Sequence, residues 1–160
     1  MMYRLLYGAL LFCLASSASA LEKGEFTLDI SGFSKHSKST YIENGTAHKY
    51  NETNPGLGIS YGLSDNLDLR IGGFKNSYDR DSVYVGLNWH RDFYFGDWTV
   101  APGINLFLIS GYERRNDIPV AILPTLTFGH RAVKLSVGIL PFGDESKVTT
   151  FQLQFNFKYF

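Results

Sequence analysis

The sequence predicts an all-β protein, an eight-stranded antiparallel transmembrane β-barrel of the bacterial outer membrane. Apolar and polar residues alternate with a period of two along most of the chain. Aromatic residues make up 16% of the chain, yet residues 21–160 contain no apolar run long enough for a membrane helix. The last segment, 148–160, alternates in the same way and ends on the aromatic Phe160, as is common in outer-membrane barrels.

Residues 1–20 have the composition of a secretory signal peptide. They contain the basic residue Arg4, an apolar run over 5–14, and the small residues Ala18, Ser19 and Ala20. The apolar run is too short to span a membrane, which needs about 20 residues. We therefore expect cleavage before Leu21.

Residues 21–160 are then a single barrel domain. The chain's one cysteine, Cys13, leaves with the signal, so neither disulfides nor thiol catalysis is expected. Loss of Arg4 leaves about one net negative charge, and no basic patch indicates nucleic acid. No metal-ligand spacing, phosphate loop or nucleophile elbow is present, so no metal or cofactor is expected. We expect a monomer.

Each predicted strand carries its apolar residues on one parity. The strands, with these residues, are 25–36 (Phe26, Leu28, Ile30), 50–62 (Leu57, Ile59, Tyr61), 66–74 (Leu67, Leu69, Ile71), 82–90 (Val83, Val85, Leu87, Trp89), 98–109 (Val100, Ile104, Leu106, Leu108), 120–128 (Ile122, Leu126, Phe128), 132–140 (Val133, Leu135, Val137, Ile139) and 148–160 (Phe151, Leu153, Phe155, Phe157, Tyr159). Strands of about 9 to 11 residues cross a membrane when tilted, and an even number suits a bacterial barrel.

The connections between these strands differ in length. Residues 63–65 and 129–131 form short turns, whereas 37–49, 110–119 and 141–147 form longer loops. Because outer-membrane barrels have short periplasmic turns and longer outer loops, both termini are expected in the periplasm. Closure of the sheet would also remove its free edges.

If the apolar parity faces lipid, the other parity faces the lumen and is rich in small residues. Two interpretations remain open: the glycines line a well for one ligand, above a floor of larger polar residues, or they permit strand curvature. The candidate well residues are Gly56, Gly58, Gly72, Gly86, Asn88 and Gly138. Four prolines near the outer strand ends either open lateral gaps in the wall or end strands, since proline donates no ladder hydrogen bond. These are Pro55, Pro119, Pro124 and Pro141.

Three polar residues fall at the predicted outer rim. His36 ends the first strand, and Asn76 and Ser77 lie in the connection between the third and fourth. A histidine beside a serine is the simplest pair for acyl transfer, because the imidazole can remove the hydroxyl proton. Solvated loop residues are the alternative interpretation.

These positions, with several others, resemble the outer-membrane lipid A palmitoyltransferases. The resemblance covers most of residues 21–160 in order and spacing, although the family's leading amphipathic helix is missing. The matching residues are His36, Tyr50-Asn51-Glu52, Pro55-Gly56, Phe74-Lys75-Asn76-Ser77-Tyr78, Gly86, Trp89, Ile118-Pro119, Pro124 and Pro141.

The resemblance implies an eight-stranded barrel that holds one acyl chain and moves a palmitoyl group from a phospholipid to lipid A, the membrane anchor of lipopolysaccharide. It also implies proline-flanked lateral openings and an active histidine, aspartate and serine. His36 and Ser77 match two of these groups, whereas Asn76 replaces the aspartate. Asn88 replaces a glycine that sets the depth of the family's acyl well, so a chain shorter than palmitate is expected.

Two functions follow as hypotheses. In the first, the chain is a lipid acyltransferase with His36 as base, Ser77 as hydroxyl partner and Asn76 as polar orienter; a lipid hydrolase is a related variant. In the second, it is a non-catalytic outer-membrane barrel that binds lipid or a surface partner. Replacement of a carboxylate by Asn76 favours the second hypothesis, because a neutral amide does not stabilise an imidazolium.

Overall fold

The computed structural model describes residues 21–112, 120–140 and 147–159. The predicted signal segment, Pro119 and Pro141 lie outside this part of the chain. The described elements are β1 (Phe26–His36), β2 (Thr40–Glu43), β3 (Thr46–Lys49), β4 (Thr53–Ser64), β5 (Leu67–Lys75), β6 (Asp81–His90), β7 (Phe93–Phe95), β8 (Trp98–Ile109), β9 (Val120–His130), β10 (Val133–Leu140), β11 (Val148–Asn156) and the 3-10 turn η1 (Phe157–Tyr159). No helix among the described residues is both long and apolar enough to span a membrane.

Eight of these strands close into an antiparallel barrel. Neighbours follow the order β6-β5-β4-β1-β11-β10-β9-β8, and pairing of β6 with β8 closes the ring. The eight predicted strands are confirmed, with one shortened end. The last strand stops at Asn156, whose Oδ1 accepts a 2.9 Å hydrogen bond from the Lys158 N–H and starts η1.

The two rims of the barrel differ. The loop end carries His36 and a hairpin of β2 and β3 inside the connection predicted as an open loop. Asn44 and Gly45 turn this hairpin with φ values of 50° and 79°, the geometry that an Asn-Gly pair favours. The opposite rim, the terminal end, carries Asn156 and the short β7, which pairs with β8.

The barrel is apolar outside and polar inside. Leu57 and Ile71 on the outer face are 62% and 59% exposed, whereas Asp29 and Arg70 on the inner face are 0% and 3% exposed. Exposed apolar side chains suit a wall that is surrounded by lipid, and buried charged side chains suit a lumen from which lipid is excluded. The predicted assignment of the apolar parity to the outside is confirmed.

A β-bulge in β1 reverses this parity near the loop end. The pairing registers of β1 with both β4 and β11 shift between Ser31 and Phe33. Below the shift, Thr27 and Asp29 face the lumen; above it, the inward position passes to Ser34 and His36. If the same residues alternated regularly with no bulge, His36 would share the lipid face with the even-numbered apolar residues of β1.

A layer of polar side chains crosses the middle of the lumen. Arg70 Nη2 donates to Asp29 Oδ2 at 2.7 Å, and Arg70 Nη1 donates to Asn105 Oδ1 at 3.0 Å. The Ser60 hydroxyl donates to Asp29 Oδ2 at 2.5 Å, and Arg70 also donates to Gln152 Oε1. These five residues come from five different strands, so the layer ties the wall together across its interior.

Loss of the Arg70 guanidinium should cost the barrel much of its stability. Arg70→Met leaves the buried Asp29 carboxylate without its counter-charge, which typically costs about 3–5 kcal/mol. Urea unfolding in lipid vesicles, followed by tryptophan fluorescence, measures the change. Arg80→Met is the matched control: it breaks an exposed pair with Glu43 and should cost about 0–1 kcal/mol. Equal losses in the two variants would contradict the structural role of the layer.

Candidate active site at the loop end

A cavity of about 580 Å³ occupies the lumen between the loop end and the polar layer. His36 and Ser77 line it near the rim, and Arg70, Asn105 and Gln152 line its deep end. Its volume falls within the range of about 300–1,000 Å³ that is usual for small-molecule sites. The Arg70 layer therefore forms the floor of a ligand-sized space.

The wall of this cavity is apolar rather than glycine-lined. Inward-facing aromatic and aliphatic side chains cover it: Phe74, Tyr84, Phe107, Ile109, Leu123 and Leu140. The predicted well residues Gly56, Gly58, Gly72 and Gly86 do not line the cavity, whereas Gly138 does.

The glycines instead make room for aromatic rings that lie against the wall. A Cβ placed on Gly58 or Gly72 would lie 2.3 Å or 2.6 Å from Tyr84 Oη, and one on Gly86 would lie 2.5 Å from Phe107 Cδ1. A Cβ on Gly86 would also lie 2.1 Å from the Leu106 carbonyl oxygen, and one on Gly72 would lie 2.7 Å from the Leu57 carbonyl oxygen. Contacts this short are forbidden, so a side chain at these positions would displace both the ring and the neighbouring strand. The glycines thus shape the cavity from behind, through Tyr84 and Phe107.

Asn88 lies below the floor and does not line the 580 Å³ cavity. Its Nδ2 donates to Asp68 Oδ2 at 3.0 Å, and it lines a separate small cavity with Asp68, His90 and Lys134. The expectation that Asn88 sets the depth of the cavity is therefore corrected, because the Arg70 layer stands between Asn88 and the cavity.

His36 is buried at the rim with both ring nitrogens unpaired. Its imidazole stacks on Tyr50 at a centroid distance of 4.2 Å, and neither nitrogen has a hydrogen-bond partner among the described residues. Glu52 is the nearby carboxylate: its Oε1 accepts from the His36 backbone N–H at 3.1 Å and lies 3.9 Å from Nδ1. The hydrogen bond from the Lys35 side chain is the main cause that keeps the pKa of Glu52 below its usual value, and the bond from the His36 backbone N–H adds to it. Glu52 is therefore ionised at neutral pH.

Ser77 lines the same cavity but is not bonded to His36. It is hydrogen-bonded with Tyr112, and burial raises the pKa of that phenol to about 12. Tyr112 also packs edge-on against Tyr78 at 5.7 Å, and Tyr78 packs against Tyr41 at 4.7 Å. A cluster of tyrosines therefore surrounds the mouth, a feature that strand alternation could not indicate.

Asn76 is a structural residue of the turn between β5 and β6. It is fully buried: its Oδ1 accepts from the N–H groups of Tyr78 and Arg80, and its Nδ2 donates to Ser82 Oγ and the Gly111 carbonyl oxygen. With both ends of the amide engaged, Asn76 does not contact the His36 ring. The expectation that Asn76 orients the imidazole is corrected, and Glu52 takes the place nearest to it.

Beside Pro124 the wall lacks ladder pairing to β10, although Pro124 is still paired with Ile104 of β8. The β9–β10 ladder ends at Thr125 paired with Gly138. Continued register would place Pro124 opposite Ile139, but no pairing is formed there. Residues 120–123 all line the cavity, although successive side chains face opposite sides of the wall.

The wall beside Pro55 is closed, which corrects the corresponding expectation. On one side, the Ser34 N–H donates to the Glu52 carbonyl oxygen at 2.9 Å. On the other, Asn54 Nδ2 donates to the Lys75 carbonyl oxygen at 2.9 Å and replaces the bond that proline lacks. Pro55 and Pro124 therefore differ: a side-chain donor joins the strands beside Pro55, whereas ladder pairing to β10 ends beside Pro124.

No group of three or more histidine, cysteine, aspartate or glutamate side chains within the described ranges could hold a metal ion.

No protein-family model and no curated protein sequence matches the chain. A solved structure from the de novo design of transmembrane β-barrels superposes with a TM-score of 0.54 at 12% identity, covering 84% of this chain and 97% of its own. The chain has the fold of a transmembrane β-barrel. This barrel also matches the N-terminal β-barrel domain of Pseudomonas aeruginosa OprF, with a TM-score of 0.43 at 11% identity, covering 84% of this chain and 98% of that one.

Restoring a carboxylate at position 76 should not create activity. In Asn76→Asp, an oxygen replaces the amide that donates to the Gly111 carbonyl at 2.7 Å, so two acceptors face each other. We expect a loss of about 1–3 kcal/mol in unfolding free energy and no faster acyl transfer. Asn44→Asp, an exposed change in the β2–β3 turn, is the control. A large gain in transfer rate for Asn76→Asp would show that the side chain leaves this network and serves His36.

Proposed function

We propose that this barrel is an outer-membrane acyltransferase that moves an acyl chain from a phospholipid to lipid A or another lipid. The observation that carries the proposal is the buried, unpaired imidazole of His36 at the mouth of an apolar, ligand-sized cavity that Ser77 also lines. An apolar wall suits an acyl chain, and a free imidazole at its mouth is placed near the ester that such a chain would present.

In the proposed reaction, the acyl chain occupies the cavity and its ester carbonyl lies at the rim. His36 accepts the proton of the acceptor hydroxyl, whose oxygen forms a bond to the carbonyl carbon. The ester bond to the donor glycerol then breaks, and the imidazolium returns the proton to the leaving oxygen. The Ser77 hydroxyl, which is hydrogen-bonded with Tyr112, would turn from Tyr112 to donate to the carbonyl oxygen as charge develops there.

Glu52 would support the protonated imidazole. At 3.9 Å, its Oε1 is beyond hydrogen-bond distance of Nδ1, but the two opposite charges would attract each other once His36 is protonated. Tyr50 stacks on one face of the imidazole, with the two ring planes 8° apart, and so holds the orientation of the His36 ring. Position and charge therefore come from the segment that leads into β4, not from the Ser77 turn.

Beyond Thr125 and Gly138, β9 and β10 are unpaired. This part of the β9–β10 seam, the line along which the two strands meet, offers a path by which the donor's acyl chain could enter from the bilayer. It opens on the cavity beside Pro124, near the loop end. A phospholipid tail could pass sideways through it while the headgroup stays at the membrane surface. In this proposal the loop end lies at the outer leaflet, lipopolysaccharide is the neighbouring acceptor, and the barrel acts as a monomer.

A non-catalytic lipid-binding barrel is the second candidate. Two observations favour it: Asn76 is wholly engaged in its turn, and Ser77 is hydrogen-bonded with Tyr112 instead of His36. The cavity would then hold a lipid chain without turnover. A hydrolase, with water as the acceptor, remains a variant of the catalytic proposal.

Lipid analysis separates these functions. Expression in a bacterial strain that lacks its own lipid A acylation enzyme should produce a new acylated lipid, detected by mass spectrometry. His36→Ala should abolish it, and Ser77→Ala should reduce it about 100-fold, as loss of one stabilising donor does. His130→Ala, an exposed histidine at the terminal end, should leave it unchanged.

Unchanged lipids despite a folded barrel would exclude transfer and favour the lipid-binding barrel. New free fatty acid without an acylated product would identify the hydrolase.

Closing the open seam should block entry of the donor. In an Ile122→Cys, Ile139→Cys double variant, whose side chains lie on the outer face, a reducible crosslinker would join β9 to β10 beside the last paired residues. We expect acyl transfer to fall at least about tenfold when the seam is bridged, because entry rather than chemistry then limits the rate, and to recover on reduction.

The matched control bridges a seam that is already closed. Ile139 pairs with Thr149 in the β10–β11 ladder, so the same crosslinker in an Ile139→Cys, Thr149→Cys variant should leave transfer unaffected. Equal inhibition in both variants would mean that the donor does not enter through the β9–β10 seam.

A further inference from the structure

The floor of the cavity contains a hydrogen-bond donor without a partner. Asn105 is 1% exposed and lines the cavity. Its Oδ1 accepts from Arg70 Nη1 at 3.0 Å, and because a guanidinium has only donors, this bond fixes which end of the amide is the oxygen. Its Nδ2 has no hydrogen-bond partner among the described residues. The floor therefore contains a buried N–H donor, on a residue that lines the cavity, which an occupant reaching Asn105 could satisfy.

The charge of the floor limits what that occupant can be. Arg70 is already paired with Asp29, which is fully buried beneath it. A carboxylate that reached the floor would add a buried negative charge with no counter-charge of its own. A neutral oxygen, such as that of a ketone or hydroxyl, accepts the hydrogen bond without this penalty.

The walls above the floor require the rest of the occupant to be aliphatic. Phe107, Leu123 and Leu140 line the space between floor and mouth. A plain methyl end would leave the Asn105 N–H groups buried and unpaired, which is unfavourable. An oxygen near the chain end satisfies them while the chain fills the apolar part.

We propose that the cavity selects an aliphatic chain with a neutral oxygen acceptor at or near its buried end, and that Asn105 recognises this oxygen through Nδ2. This inference rests on the proposed occupancy of the cavity by a lipid chain, but not on transfer of that chain. It names a substrate class, the chain-oxygenated acyl lipids.

Competition between two matched probes tests the proposal. The full barrel in lipid nanodiscs is incubated with equal amounts of a saturated monoacylglycerol and its analogue with a ketone at the penultimate carbon, over a ladder of chain lengths. Native mass spectrometry reports the ratio bound. At the best-fitting length we expect the ketone to be preferred about fivefold or more, as one additional hydrogen bond allows.

Variants assign the preference to Asn105. Asn105→Asp keeps an oxygen for Arg70 but removes the NH2 group, so the preference should disappear; Asn105→Leu should reverse it in favour of the plain chain. Asn88→Leu is the control, because Asn88 pairs with Asn105 across the β6–β8 ladder but lies in the lower cavity. It should retain the preference.

Equal binding of both probes by the unchanged barrel would overturn this inference and leave the proposed function standing. Binding of neither probe would overturn both, since the cavity would then not hold a lipid chain. A ketone preference that survives in Asn105→Asp would overturn the role of Asn105. The result for the unchanged barrel stands even where a floor variant does not fold.

Discussion

The ion pair between Arg70 and Asp29 is the interaction on which the rest of this barrel depends. It joins strands that are not neighbours, and the hydroxyl and amides of Ser60, Asn105 and Gln152 satisfy it inside the lumen. A buried ion pair is not in itself a strong source of stability. Its importance lies in geometry: it divides one lumen into an apolar upper space and a polar lower one, and so determines where a ligand can lie.

Above this division, glycine and aromatic residues act together. Tyr84 lies over the glycines of β4 and β5, and Phe107 lies over Gly86. An eight-stranded barrel has little interior to spare, and rings that lie along the wall leave a central space that rings pointing inward would fill. The glycines and the aromatic residues therefore contribute together to an open lumen with an apolar lining.

Strand alternation predicted the barrel because each strand has one face towards the lumen and one towards lipid. This gives its residues a period of two, which can be seen within each strand alone. It also placed His36 and Ser77 at one rim. It could not predict contacts across the lumen, such as that between Arg70 and Asp29, 41 residues apart, because these depend on closure and stagger. The place of Glu52 beside His36 had no local signal, because the two residues are 16 positions apart. Asn76 could be placed in its turn, but not recognised as fully engaged there, because its four partners come from the turn, from β6 and from the residue after Ser110. The Asn44-Gly45 hairpin did carry a local signal.

The bulge in β1 sets the facing of the site through chain length as well as residue type. An isolated glycine within a strand often marks such a bulge, and here Gly32 lies where the register shifts. Removing Gly32 would restore regular alternation, in which Ser34 and His36 keep the lumen side and Lys35 keeps the outer side. The strand therefore contains one spare residue at this point, and a single deletion here leaves both faces as they are. A single insertion between Ser34 and His36 has the opposite effect, because continued alternation would turn the imidazole towards the bilayer and Lys35 into the lumen.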